Sequence, residues 1–147
     1  MLFYEDFQPG QAFEFGPTTV TEAEIVAFAR QFDPQPFHVD AAAAAASPFG
    51  GLIASGWHTA SLFMRMYVDA VLNDTASMGS PGVEELRWLA PLRPGELVSA
   101  RLEVLETSPS SRRADRGTIV ARGDLLDAAG GTLMTMRLRG FFARRSL

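Results

Sequence analysis

The chain contains no cysteine. Disulfides, thiolate zinc sites and a cysteine nucleophile are therefore excluded. Histidine is nearly as scarce, with two in the chain, His38 and His58. His38 and Asp40 form an H-x-D pair. A zinc catalyst normally needs three protein ligands, so Asp40 reads as a helix cap and no metal is expected. Basic charge is also in deficit, with 13 basic residues against 17 acidic ones and a formal net charge of -4. The short pairs Arg112-Arg113 and Arg144-Arg145 read as solvated surface, and a nucleic-acid partner is not expected. Phosphate-cradling G-x-x-x-x-G-K, dinucleotide G-x-G-x-x-G and hydrolase G-x-S-x-G patterns are all missing. The start, Met1 to Asp6, is acidic and lacks the basic opening of a secretory signal. The longest apolar stretch, about Leu52 to Leu72, is interrupted by His58, Arg65 and Asp69. It makes a poor membrane span and a good buried helix. A soluble, cytoplasmic protein is the expectation.

What remains is ordinary globular material. The chain has 147 residues, of which 47% are hydrophobic and 20% charged. That suits one domain, residues 1–147, with a sizeable core. Alternation over Gln11 to Phe15 predicts a first strand, broken by Pro17. Thr21-Glu22-Ala23-Glu24 has the form of a capping box. The helix after it places Ile25, Phe28, Ala29 and Phe32 on one face. It should stop at Asp33, because a residue before proline is pushed out of the α region. Asp40 caps a short helix through the alanines. A long helix should run from Gly56 to about Leu72, with Trp57, Ala60, Ser61, Met64, Val68 and Val71 on one stripe. Leu62, Phe63 and Met66 make the rest apolar too, so the helix is buried in a core or between subunits.

The second half reads as strands: Val83 to Leu89, Val98 to Val104, Thr118 to Leu126 and Leu133 to Phe142. Ser108 to Arg116 reads as a polar loop, and Asp127 to Gly131 as the turn of a hairpin. Short connections make an antiparallel sheet. A long apolar helix needs such a sheet to bury against. The predicted class is α+β, a curved antiparallel sheet wrapped around a central helix.

Chemistry concentrates in Asp33-Pro34-Gln35-Pro36-Phe37-His38-Val39-Asp40. A carboxylate and an imidazole five positions apart are stiffened by two prolines, which suits proton transfer. The spacing alone is common. Ser61 lies on the apolar stripe of the long helix. Its hydroxyl either bonds back to the carbonyl four residues earlier or reaches Asp33 or a substrate. Gly50-Gly51 and Ser55-Gly56 flank the start of that helix, where free amides attract developing negative charge. His58 reads as a packing or subunit-contact residue.

Together, Phe32 to Asp40, Ile53-Ala54-Ser55-Gly56, Ala60-Ser61-Leu62-Phe63 and Gly82 to Gly95 resemble the MaoC-like dehydratases and (R)-specific enoyl-CoA hydratases. The hydratase motif of that family runs D-x-N-P-x-H-x-D. The resemblance implies a hot-dog fold and homodimers whose sheets join edge to edge. It implies reversible hydration of a trans-2-enoyl-CoA to an (R)-3-hydroxyacyl-CoA, with coenzyme A as part of the substrate and no further cofactor. Asp33 and His38 match the catalytic pair, Ser61 the supporting serine and Gly56 the amide that assists the thioester oxygen. The asparagine of the motif is Gln35 here, whose longer side chain cannot make the same short-range bonds. A hot-dog thioesterase and a non-catalytic acyl-CoA-binding module are the rival readings.

Overall fold

Five strands of alternating or apolar sequence need a partner for their inner face, and one long helix supplies it. A computed structural model describes residues 1–146. The elements in chain order are β1 (Ala12–Thr18), α1 (Glu22–Phe32), α2 (Pro36–Val39), α3 (Ala41–Ala45), α4 (Gly56–Ala70), β2 (Gly82–Trp88), β3 (Val98–Pro109), β4 (Arg116–Leu126) and β5 (Thr132–Ala143). The strands form one antiparallel sheet in the order β1-β3-β4-β5-β2. It wraps around α4, as the α+β reading requires.

Local signals account for the element ends. Thr21 Oγ1 accepts from the Glu24 amide at 3.1 Å while the Glu24 carboxylate accepts from the Thr21 amide, which is the capping box. The helix that follows ends at Phe32, with Asp33 as its cap. Asp40 accepts from the amides of Ala42 and Ala43 and starts α3. In the β4–β5 hairpin the Asp127 amide donates to Gly131 at 2.8 Å, and Gly130 takes a positive φ of 85°.

The core lies between α4 and the concave face of the sheet. Along β3, Val98, Ala100, Leu102 and Val104 are buried, while Arg101 and Glu103 alternate with them on the outer face. There they join Arg122 and Asp124 of β4 in ion pairs. From α4, Thr59, Phe63, Met66 and Tyr67 point inward. The Phe63 ring is wholly buried and occupies the space that a side chain on Gly123 of β4 would need.

Four expectations need correction. Pro17 does not break the first strand, which continues to Thr18 across a register shift. β1 is an edge strand, where a missing amide costs no ladder bond. The polar loop is shorter than read, because β3 runs on to Pro109 and β4 begins at Arg116. Phe32 is 64% exposed and does not join the buried face of Ile25 and Ala29. On α4 the stripe through Trp57 and Met64 faces outward, with those residues 58% and 45% exposed. The sheet covers the opposite face, and periodicity cannot tell which of two apolar faces is covered.

Phe63→Ala should cost about 3–5 kcal/mol of stability, as deletion of a buried aromatic ring does. Gly123→Ala should cost about 1–3 kcal/mol by overpacking against the same ring. Urea unfolding of both variants measures the two values.

Candidate functional site

The segment between α1 and α3 is wound tightly by its own backbone. The Gln35 amide donates to the Asp33 carbonyl at 2.8 Å, and the His38 amide to the Gln35 carbonyl at 2.9 Å. Pro36 opens α2, where its lack of an amide costs nothing. The stretch between Asp33 and Asp40 therefore contains one helical turn, and that turn swings His38 inward. His38 is 5% exposed. Its Nδ1 lies 2.8 Å from the Ile53 carbonyl oxygen. A carbonyl only accepts, so Nδ1 carries the hydrogen and Nε2 is left facing Asp33. The separation from Nε2 to Asp33 Oδ2 is 3.4 Å.

Two donors hold the Asp33 carboxylate. The Ser55 hydroxyl donates to Oδ2 at 2.7 Å and the Gln35 side-chain amide to Oδ1 at 2.7 Å. Ser55, then Gln35, and then the charge of His38 pull Asp33 below the ordinary carboxylate range against an opposing desolvation. The departure at Gln35 thus has a definite outcome. The longer side chain reaches back two residues to the carboxylate.

The predicted site residues do not all converge. Asp33, Gln35 and His38 do. Gly56 is the first residue of α4, where helical amides have no carbonyl a turn back to bond. The Trp88 indole lies over its α-carbon so closely that any side chain there would collide with the ring. Ser61 does not reach Asp33. Its side chain is exposed and its hydroxyl donates to the Trp57 carbonyl at 2.7 Å, so its bond goes back along its own helix. The contact with Asp33 belongs to Ser55 instead, which the sequence placed only at the start of the helix. A serine directly before a long helix is an N-cap signal, and that signal was available. Ser55 does cap α4, accepting from the Trp57 amide at 3.3 Å.

A cavity of about 330 Å³ opens beside His38 and Gly56. Phe37, Phe49, Ile53, Trp88 and Leu92 make its walls largely apolar, with Thr59 and His38 as polar points. Asp33 adjoins it through His38. The Phe49 wall is pinned by Arg93, which donates to the Phe49 carbonyl at 2.7 Å. Among the described residues, no three histidine, aspartate or glutamate side chains are grouped to hold a metal ion. No described helix is long and apolar enough to cross a membrane.

The MaoC like domain model matches residues 6–123. The chain belongs to the MaoC-like domain family. It is 32% identical over 139 residues to a 3-hydroxybutyryl-CoA dehydratase of Methylorubrum extorquens, covering 91% of this chain and 83% of that one. A MaoC-like dehydratase structure from Rhodospirillum rubrum superposes over the full length of both chains, with a TM-score of 0.91 and 41% identity. The unliganded R-hydratase PhaJ1 of Pseudomonas aeruginosa matches with a TM-score of 0.76 and 26% identity, over 99% of this chain and 87% of that one. The sheet wrapped around α4 is thus the hot-dog fold, in a family of hydratases and dehydratases.

His58 has a structural setting. Its ring stacks on Phe28 at 4.6 Å and 8° between planes, and its buried Nδ1 has no partner among the described residues. Burial pushes its pKa below the ordinary histidine value, against a smaller pull from the Glu24 carboxylate. The unfolded chain then takes up the proton more readily. The associated stability is fully present above the unfolded value of about 6.5 and declines as the pH falls below it. His58→Phe should flatten that decline, as seen in urea midpoints recorded across the acid range.

Proposed function

We propose that the protein catalyses reversible hydration of a trans-2-enoyl-CoA to an (R)-3-hydroxyacyl-CoA. The observation that carries this reading is an Asp33 carboxylate 3.4 Å from Nε2 of His38, beside an apolar cavity at a helix N-terminus. In the hydration direction, Asp33 and His38 hold one water over the β-carbon. The water oxygen bonds to that carbon as one proton leaves the water, and the α-carbon is protonated on the same face. As the α-carbon waits for its proton, negative charge builds on the thioester oxygen. The Gly56 amide, at the positive end of α4, is suited to meet it. Ser61 stays in this reading only as a contact to the substrate. Coenzyme A enters as part of the substrate, its phosphates meeting exposed arginines, and the proton transfers call for no further cofactor.

The relative named for 3-hydroxybutyryl-CoA makes a four-carbon enoyl-CoA the first substrate to test. The thioesterase reading is weakened on α4 itself, where Asp69 is exposed and bound to Arg65 at 2.7 Å. A second copy of the chain would cover the exposed α4 stripe and the free edge of β2. The protein should therefore elute and scatter light as a dimer, and a monomer at assay concentration would refute that part.

Asp33→Asn and His38→Ala should each lower kcat by about 10²–10⁴-fold with the fold intact. Enoyl absorbance and free thiol are followed together. Loss of absorbance without thiol is the expected result. Release of thiol would favour the thioesterase. Binding with neither would favour the acyl-binding module.

A further inference from the structure

Two residues donate to Asp33, and they differ in surroundings. Gln35 is exposed, so water can replace its amide. Ser55 is wholly buried, so its hydroxyl is shielded from exchange with solvent. The direction of that hydroxyl is set from both sides. Its oxygen accepts from the Trp57 amide at 3.3 Å, and its single hydrogen is directed to Asp33 Oδ2 at 2.7 Å. The residue also sits at the N-terminal end of a 15-residue helix, the end that favours negative charge. One side chain therefore joins the start of α4 to the Asp33 carboxylate.

We propose that Ser55 is the positioning residue of this site, fixing the orientation of the Asp33 carboxylate. Ser55 touches no reacting atom and acts through Asp33. The groups facing Asp33 are Ser55 from the α4 cap, Gln35 from its own segment and His38 from α2. His38 is the only titratable one among the described residues. Removal of the Ser55 hydroxyl leaves one oxygen of the carboxylate with the imidazole alone. The proton affinity of Asp33 then rises, and its plane is free to rotate. The direction agrees with the lowered pKa of Asp33, for which Ser55 is the largest cause. The kinetic part of this proposal rests on the hydratase reading, whereas the ionisation part stands without it.

The test uses the full chain and the variants Ser55→Gly and Ser55→Thr. Glycine is tolerated at an N-cap and removes the hydroxyl, whereas threonine keeps both functions. Aspartate carboxyl carbons are labelled with ¹³C, the Asp33 signal is assigned through Asp33→Asn, and each protein is titrated by NMR. Asp33 should titrate below the ordinary aspartate range in the parent, move up in Ser55→Gly and stay low in Ser55→Thr. With a four-carbon enoyl-CoA, kcat should fall roughly 10-fold to 100-fold in Ser55→Gly, the value of one hydrogen bond to a charged group, with little change in KM. Ser55→Thr should restore it. An Asp33 titration that does not move in Ser55→Gly overturns the proposal, as does a raised KM with kcat unchanged. A parent that hydrates no enoyl-CoA would sink the hydratase reading, and the NMR titration would still decide the role of Ser55.

Discussion

The seat of α4 on the sheet is the constraint from which the rest follows. The tip of the Phe63 ring can reach β4 only because position 123 has no side chain. That close approach sets both the depth and the rotation of the helix. The N-terminus of α4 then falls where Ser55 meets Asp33 and Gly56 meets Trp88. A helix shifted outward by one methyl group would carry the cap away from the carboxylate. The site is thus an outcome of core packing before it is an arrangement of polar groups.

Around that anchor, the site is assembled from short pieces with few degrees of freedom. Pro34 ends one helix and Pro36 begins the next turn, so Asp33 and His38 are presented by a segment that cannot relax far. Long-range bonds then lock each end. Ser55 holds the carboxylate, and the Ile53 carbonyl holds the imidazole. Both come from the single stretch leading into α4. This stretch is tied in turn to the chain beyond β2, where the Ala54 amide donates to the Leu92 carbonyl at 2.8 Å. A polar pair inside a largely apolar wall is expensive to leave unsatisfied, and each of its ends has a partner.

Features decided by neighbouring residues were legible in the sequence. The capping box at Thr21, the stop at Asp33, the Asp40 cap and the alternation along β3 all belong to this kind. A curved antiparallel sheet around a central helix followed from their order, and the family resemblance implied its hot-dog form. Features decided by distant partners were less legible. Ser55 and Ser61 are both serines near the start of one helix, and only the rotation of that helix tells which meets Asp33. The reading chose Ser61 on resemblance, and the fold turns Ser61 outward. Trp57, Met64 and Phe32 show the same limit. Spacing identifies an apolar face, but the rest of the fold determines which faces are covered.

The placement of the two tryptophans has a practical consequence. Trp57 and Trp88 are the only ones in the chain, and their rings meet edge to face at 5.1 Å beside Gly56. Trp88 also lines the cavity. Nearly all of the intrinsic fluorescence of the protein therefore originates at the mouth of its candidate site. Ligand entry changes the polarity around these indoles directly, so the unmodified chain carries its own optical reporter of occupancy.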